Sequence, residues 1–279
     1  MKKIGIFYIC TGPYVAFWED FYKTSEENFL PETEKHYFIF TDSSTIKSTK
    51  KKHVYQIQNM PWPLITLLRF NYFCSVEKDV QEMDYLMFSN ASIIFPAKIT
   101  EEEFLPSGDE EIFVTQHPGY YKCKSAKCPF DRNPKSTAFV PLCVKSPYVI
   151  GAMNGGTKDG FMKMANQLKK DIETDLKANI IARWHDESQL NRYIAKNKNY
   201  KLLTPNYFYP VGFDLDLPKK IAAVDKQAKF DVADFKGFDY SKKPISKKIK
   251  ELILCIPRKV KFVLQYLCSY LQLAKWRNK

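Results

Sequence analysis

Tyr85-Leu86-Met87-Phe88-Ser89-Asn90-Ala91-Ser92 is a short apolar run that ends in small polar residues. Such a run is typical of a buried β-strand, and its polar end is typical of the place where a strand opens onto a binding site. An ordinary turn is the alternative for residues 89–92 when they are considered alone. The stretch therefore predicts a strand of an open sheet, with candidate site residues directly after it.

The segments around this stretch alternate between predicted strands and predicted helices. Strands are predicted at 3–9, 36–41, 54–57 and 85–88, and helices from about residue 14 and at 64–80, 157–176 and 186–197. Polar residues follow the strands, as in Thr11-Gly12-Pro13 and Asp42-Ser43-Ser44. This alternation indicates an α/β fold whose ligands bind at the carboxyl ends of the strands.

A second candidate stretch, Trp184-His185-Asp186-Glu187-Ser188, combines an indole, an imidazole and two carboxylates. An indole can cover the face of a sugar ring, and a carboxylate can stabilise an oxocarbenium ion at the anomeric carbon. A helix start is the alternative, because Asp186 and Gln189 have the spacing of a capping pair. Considered alone, the stretch is better explained by the helix start, and the other motifs along the chain are what favour a sugar site.

Two further segments are candidate binding loops. Residues 116–136 are rich in Pro, Lys and Cys and too long for one regular element, which is typical of a lid or a binding loop. In Gly151-Ala152-Met153-Asn154-Gly155-Gly156, the glycines would let the backbone approach a ligand closely. A plain tight turn is the alternative for this second segment.

The basic surplus of the chain is concentrated at its C-terminal end. The formal net charge is +12, and residues 241–279 contain 11 Lys and Arg with a single acid, so the first 240 residues are nearly neutral. A nearly neutral body argues against a groove for DNA or RNA, and we expect no nucleic-acid partner. A length of 279 residues and a hydrophobic content of 45% are sufficient for a full globular core.

We expect two parts, a main domain at 1–235 and a basic amphipathic helical tail at 236–279. Between residues 249 and 271, apolar side chains recur at three- and four-residue spacing, and Pro257 divides the segment into two helices. A basic amphipathic pair of this kind suits the surface of an anionic membrane. A helical hairpin packed on the body is the alternative, and the charge favours the membrane.

Cysteine usage and hydropathy indicate a cytoplasmic protein. The seven cysteines are an odd set without a CxxC pair, which favours reduced thiols over disulfides or a zinc site. The apolar run at 4–10 is too short for a signal peptide, and no run of 18 or more apolar residues exists to span a membrane. The tail adds the alternative of peripheral contact with the inner face of the membrane.

Five blocks of sequence resemble glycosyltransferase family 6, which includes the histo-blood-group A and B transferases and α-1,3-galactosyltransferase. In order, they are 4–17, 37–42, 62–69, His117-Pro118-Gly119 with 134–138, and Gly155-Gly156 with 184–191. The resemblance covers residues 3–229, and its last block is the most specific. The absent anchor and the missing metal motif are similar to the bacterial branch of the family.

The resemblance implies a Rossmann-like GT-A fold that binds a UDP-sugar. Its members transfer galactose or N-acetylgalactosamine in α-1,3 linkage, with retention, to a galactose that usually carries an α-1,2-fucose on a cell-surface glycan. It implies Glu187 as the catalytic carboxylate, either as a nucleophile or as a stabiliser of the oxocarbenium ion. The implied donor-binding residues are Ile9, Cys10, Thr11, Tyr14, Arg69, Asn90, Ser92, Ile150, Gly151, Ala152, Asp186 and Lys226. The implied acceptor-binding residues are His117, Trp184 and Glu187.

The sequence departs from the family at the metal-binding Asp-x-Asp motif. Asn90 and Ser92 stand at these positions, and Ser92 also departs from the Asn-x-Asn of bacterial relatives. Because a divalent cation prefers anionic oxygen ligands, we expect a metal-independent enzyme without a cofactor. The departing UDP must then be stabilised by side-chain cations, for which Arg69 and Lys226 are the candidates.

The choice of donor sugar is left open by the sequence. The family positions that tune it correspond to 150–152, where Ala152 favours galactose and Gly151 leaves space for an N-acetyl group. A catalytically weak UDP-sugar or glycan-binding protein is the alternative function, because Ser92 is unusual. The intact Asp186 and Glu187 argue against that alternative.

Overall fold

The computed structural model describes residues 1–231, and a seven-stranded sheet forms its centre. The strands are β1 Lys3–Ile9, β2 Glu34–Thr41, β3 Lys52–Gln56, β4 Tyr85–Ser89, β5 Ile93–Ile94, β6 Ile112–Gln116, β7 Val149–Thr157, β8 Tyr200–Leu203 and β9 Ala222–Ala223. The α-helices are α1 Trp18–Asn28, α2 Leu64–Leu67, α3 Arg69–Ser75, α4 Glu101–Phe104, α5 Lys158–Lys177 and α6 His185–Lys196. Short 3-10 helices occur at Gly12–Phe17, Pro118–Tyr120, Ser125–Lys127, Pro205–Phe208 and Lys226–Ala228.

The strand order of the large sheet is β3-β2-β1-β4-β7-β6-β8, and a second sheet pairs β5 with β9. Neighbours in the large sheet are parallel except at β7, which runs antiparallel to both β4 and β6. The strand order reverses between β1 and β4, and ligands of open α/β sheets bind beyond the carboxyl ends at such a reversal. The predicted α/β fold of the Rossmann-like GT-A type is confirmed.

Apolar side chains cover both faces of the sheet. On one face, the ring of Tyr8 lies 4.5 Å from that of Phe21 in α1. On the other face, Phe7 stacks on Phe73 of α3 at 4.6 Å and contacts Phe161 of α5 at 5.5 Å. Strands that are buried on both faces are apolar at successive positions, which is why β1 and β4 are recognisable as continuous apolar runs.

The predicted helix at 64–80 is wrong in its extent. Two short helices, α2 and α3, occupy its first part, and residues 76–84 form turns instead. The chain has to turn back here in order to enter β4 at Tyr85. This tertiary requirement overrides the helical pattern of the sequence.

The segment 151–156 lies inside β7, in the middle of the sheet, so the alternative of a tight turn is wrong. A Cβ atom at Gly155 would lie 2.3 Å from Cζ of Phe113 in β6. The glycine therefore allows a neighbouring strand to pack, rather than a ligand to approach. Pairing with β4 and β6 on both sides overrides the weak strand preference of glycine. The strands β6, β7 and β8 are not predicted from the sequence pattern.

The connection between β6 and β7, residues 117–148, contains most of the predicted binding loop. It folds around a small apolar cluster of its own that includes Phe130, Val140 and Tyr148. Asp131 fixes it to the body, because its Oδ2 accepts the N–H of Arg183 at 2.7 Å. The connection thus packs beside the Trp184 stretch, and its movement as a lid stays a prediction.

The predicted tail at 236–279 lies outside the described residues. Its helices, its membrane contact and the domain boundary at 235 therefore stay predictions. Within residues 1–231, every helix is too short or too polar to cross a membrane.

Candidate active site

A cleft of about 720 Å³ opens at the carboxyl ends of β1 and β4. Its walls also include the first half of β7, the start of α6 and the turn at residue 226. Because β7 is antiparallel to β4, its first residues lie at the same edge as the end of β4. Fourteen of the fifteen predicted site residues line the cleft: Ile9, Thr11, Tyr14, Arg69, Asn90, Ser92, His117, Ile150, Gly151, Ala152, Trp184, Asp186, Glu187 and Lys226.

Cys10 is the predicted site residue that lies apart from the cleft. Its side chain is 0% exposed in the core cluster on the α1 face of the sheet. Burial raises the pKa of the thiol to about 12. The side chain alternates with those of Ile9 and Thr11, so the chain turns these two neighbours towards the cleft and Cys10 into the core.

Glu187 lies in the first turn of α6, with both carboxylate oxygens hydrogen-bonded. Oε1 accepts a hydrogen bond from the Tyr148 hydroxyl at 2.8 Å, and Oε2 accepts one from the N–H of Gly151 at 2.9 Å. Burial raises the pKa of Glu187 to about 7, and the neighbouring Asp186 acts in the same direction. The residue is half-buried and lines the cleft, so this carboxylate can meet a ligand there.

Asp186 and Arg69 form a buried ion pair in the wall of the cleft, with 3.0 Å between Oδ2 and Nη1. Arg69 also donates to the carbonyl of Gly151 at 3.1 Å, and its guanidinium lies 4.4 Å from the ring centroid of Phe88. Burial raises the pKa of Asp186 to about 6, and Arg69 opposes this shift, so the carboxyl is mostly ionised at neutral pH. The predicted contact of Arg69 with the nucleotide or its diphosphate stays a prediction.

Asn191 holds the start of α6 against β7. Its buried side chain accepts the N–H of Val149 at 2.8 Å and donates to the carbonyl of Val149 at 2.7 Å. It also donates to the carbonyl of Glu187 at 2.8 Å. These bonds fix the orientation of the helix on the strand, and with it the direction of Glu187.

His185 begins α6 with a left-handed backbone, at φ 53°. This conformation costs a residue other than glycine about 1–2 kcal/mol. It places the imidazole ring 4.8 Å from the ring of Trp62. Such backbone strain persists only where the surrounding structure enforces it, and it clusters at functional sites.

His117 lines the cleft as a neutral imidazole. Its Nδ1 accepts the N–H of Gly119 at 3.0 Å, and burial lowers the pKa of the ring to about 4. A neutral ring whose Nδ1 is an acceptor carries its proton on Nε2. That nitrogen can donate a hydrogen bond to a ligand hydroxyl.

Asn90 and Ser92 bring neutral side chains to the cleft. The N–H of Asn90 donates to the carbonyl of Ala152, and the carbonyl of Ser92 accepts the N–H of Val224, both at 2.9 Å. Throughout the part of the chain that the structure describes, no group of three His, Cys, Asp or Glu side chains is arranged to hold a metal ion. This donor set does not fit a divalent cation, which prefers anionic oxygens.

Tyr14 and Lys226 form another wall of the cleft. The ammonium of Lys226 lies 5.5 Å from the ring centroid of Tyr14. The ring centroid of Phe230 lies 5.1 Å from that of Tyr14. The turn after β1 is fixed by Gly12, whose N–H donates to the Asp42 carboxylate at 2.9 Å. An aromatic ring beside a cation suits a nucleobase and its phosphates.

Several residues of the cleft are missed by the sequence analysis. The missed lining residues include a group before and within α2: Asn59, Met60, Pro61, Trp62, Ile65 and Thr66. Tyr148 is also missed; it is buried beside the cleft and donates a hydrogen bond to Glu187. Trp62 and Trp184 are exposed at 39% and 46%, so two indole rings stand open to a ligand. Trp62 could have been predicted, because it begins the block at 62–69 that resembles the family, whereas no local sequence pattern indicates Tyr148.

An open α/β sheet with a cleft where its strand order reverses is typical of proteins that bind nucleotides. The sequence model of Glycosyltransferase family 6 matches residues 2–233. The chain is 36% identical to the O-antigen biosynthesis glycosyltransferase WbnI of Escherichia coli over 226 residues, which are 80% of this chain and 95% of that protein. The chain belongs to glycosyltransferase family 6 and is a glycosyltransferase.

Animal proteins are similar to the same region at lower identity. The histo-blood group ABO system transferase 1 of Rattus norvegicus is 26% identical over 215 residues, which are 74% of this chain and 60% of that protein. The globoside alpha-1,3-N-acetylgalactosaminyltransferase 1 of Homo sapiens has the same identity, length of match and coverage. The match thus spans less than two thirds of each animal relative.

Proposed function

We propose that this enzyme moves galactose or N-acetylgalactosamine from a UDP-sugar onto a galactose of a cell-surface glycan, in α-1,3 linkage and with retention. The observation that carries the proposal is the carboxylate of Glu187, which lines the cleft with both oxygens hydrogen-bonded beside the Asp186–Arg69 pair. The names of the relatives support the reaction class, because they refer to O-antigen biosynthesis, to the ABO system and to α-1,3 transfer of N-acetylgalactosamine.

In the proposed reaction, the bond between C1 of the sugar and the β-phosphate oxygen breaks, and its electron pair leaves with UDP. Glu187 acts on the opposite face, either by bonding to C1 or by stabilising the oxocarbenium ion. The acceptor hydroxyl then attacks from the side that UDP has left, and its proton passes to the departing phosphate or to solvent. Asp186 holds hydroxyls of the donor sugar, while His117 and Trp184 bind the acceptor.

UDP is proposed to leave without the help of a metal ion. Among the described residues that line the cleft, the Lys and Arg side chains are those of Arg69 and Lys226. Lys226 lies beside Tyr14 on the proposed nucleotide wall of the cleft. We assign the diphosphate to Lys226, because an ammonium can form charge-assisted hydrogen bonds to phosphate oxygens.

Transfer is expected to proceed in EDTA. The test is incubation with UDP-galactose or UDP-N-acetylgalactosamine, with and without fucosyl-galactose, in the presence of EDTA, followed by mass spectrometry of the product. A trisaccharide from one donor would support the proposed transfer, and the same product from both donors would show that the pocket accepts either sugar. Activity that EDTA abolishes and Mn²⁺ restores would refute metal independence, and the absence of both transfer and hydrolysis in either condition would refute the proposed donors.

Gly151→Ala is expected to lower transfer from both donors by a similar factor, on the order of tenfold. A Cβ atom at this position would lie 3.0 Å from Cβ of Glu187 and 3.1 Å from Oδ2 of Asp186. The substitution should therefore displace the acid pair instead of selecting between sugars. The measurement is kcat/KM for each donor. Ala152→Gly is the control, because it changes the volume of the cleft at the adjacent residue of β7. A large change in the donor ratio for Gly151→Ala alone would contradict this interpretation.

A further inference from the structure

Tyr148 is the side chain that connects the long connection 117–148 to the proposed catalytic acid. Its hydroxyl donates to Oε1 of Glu187 at 2.8 Å, while Oε2 is occupied by the N–H of Gly151. The two donors lie on adjoining parts of the chain, one directly before β7 and one within it. With one donor on each oxygen, the two hydrogen bonds fix the orientation of the Glu187 carboxylate.

The ring of Tyr148 is fixed in its own surroundings. It is 1% exposed, and its centroid lies 5.2 Å from Tyr120, 5.1 Å from Phe130 and 5.7 Å from His117. Its carbonyl accepts the N–H of His117 at 2.9 Å. Because ring and backbone are both held, the hydroxyl has little freedom to leave Glu187.

Tyr148 remains a hydrogen-bond donor at every pH at which the enzyme would work. Burial raises the pKa of the phenol far above its ordinary value, and the Glu187 carboxylate raises it further. A neutral phenol that donates to a carboxylate stabilises its ionised form. Among the other groups that act on Glu187, Gly151 and Arg69 favour the ionised form, whereas burial and Asp186 oppose it.

We propose that Tyr148 is a positioning residue that aims the Glu187 carboxylate at the anomeric carbon and keeps it ionised. The proposal rests on the catalytic role of Glu187 proposed above. The proposal also gives the connection 117–148 a function. Its apolar cluster fixes the ring of Tyr148, and the Tyr148 hydroxyl in turn fixes the Glu187 carboxylate.

Tyr148→Phe is expected to lower kcat by about 10- to 100-fold while KM for the UDP-sugar stays within about twofold. Loss of the hydrogen bond should also shift the acid limb of the kcat/KM profile upwards by about one pH unit. A ring with a merely structural role would lower activity without moving that limb. Tyr120→Phe is the matched control, because it removes a neighbouring phenol that is not bonded to Glu187, and it should leave the limb in place.

A second measurement covers the case in which Tyr148→Phe fails to fold. Replacement of Tyr148 by 3-fluorotyrosine keeps the shape of the ring and strengthens the donor. The acid limb should then move to lower pH, and an unchanged limb in a folded protein would overturn the proposal. Failure of the two proposals is distinguishable: if Glu187→Gln abolishes transfer and Tyr148→Phe changes neither kcat nor the limb, only the role of Tyr148 is refuted.

Discussion

Glu187→Gln is expected to lower kcat for sugar transfer by roughly 10³-fold or more, while UDP binds as in the unchanged enzyme. The amide has the size of the carboxylate but lacks the negative charge that would bond to C1 or stabilise the oxocarbenium ion. In the unchanged enzyme, the Tyr148 hydroxyl and the Gly151 N–H each donate to an oxygen of Glu187. The NH₂ group of the glutamine would face one of these donors, and no hydrogen bond could form there. The measurements are single-turnover transfer and calorimetric titration with UDP.

Glu82→Gln is the matched control for this experiment. Glu82 pairs with Lys3 at the surface, away from the cleft lining, and its side chain is 81% exposed. It should transfer sugar at the unchanged rate. A Glu187→Gln enzyme that retained transfer within about tenfold of the unchanged rate would remove Glu187 from the catalytic role.

The pH dependence of activity is a second test of the catalytic role of Glu187. Because the pKa of Glu187 is raised to about 7 and the ionised form is the active one, activity should fall as the pH drops through about 7. The Glu187→Gln enzyme has no group to titrate at this position. Its residual activity should therefore lack that acid limb.

Arg69→Met is expected to lower the free energy of unfolding by about 3–5 kcal/mol, because it leaves the Asp186 carboxylate buried without its partner. The pair is 3.0 Å apart, and both side chains are less than 10% exposed. The double substitution Arg69→Met with Asp186→Asn removes both charges and should recover most of that loss. The measurement is urea unfolding followed by tryptophan fluorescence, with linear extrapolation to water.

Lys163→Met is the control, since it removes the cation of an exposed pair. Lys163 lies 3.1 Å from Glu111, and the side chains are 65% and 45% exposed. Such exposed pairs contribute about 0–1 kcal/mol to the free energy of unfolding. If Arg69→Met lowers the free energy of unfolding by no more than Lys163→Met does, Arg69 and Asp186 do not depend on each other as a buried pair. The double variant should stay inactive even where it is stable, because Asp186 is proposed to hold the donor sugar.

The edge at which the cleft opens is predictable from the sequence, because polar residues follow apolar strand runs. Asn90 and Ser92 follow β4 and Thr11 follows β1, and the ends of adjacent parallel strands meet at one edge. Resemblance to the family then adds Asp186 and Glu187, which local pattern alone leaves compatible with a helix start. A helix does start here, since both residues lie in the first turn of α6. The capping pair of Asp186 and Gln189 is wrong, because Trp184 is the N-cap residue and its side chain forms no capping hydrogen bond.

The role of Gly151 shows where the prediction stops. From the sequence, its missing side chain leaves space for a ligand. In the structure, Asp186 and Glu187 occupy the space beside it. Which group fills the volume next to a glycine depends on the helix that packs there, and a local pattern contains no information about that helix.

The sequence by itself determined the chemical identity of the site: two neutral side chains after β4, two carboxylates beside an indole, and an α/β order of strands and helices. Only the tertiary structure decided which groups are bonded, with Tyr148 on Glu187, Arg69 on Asp186, and the glycine-rich β7 in the middle of the sheet. The physical reason is the separation along the chain of the residues that interact. Strand and helix preferences arise from neighbouring residues, whereas these contacts join parts of the chain that meet only when the sheet and its helices pack.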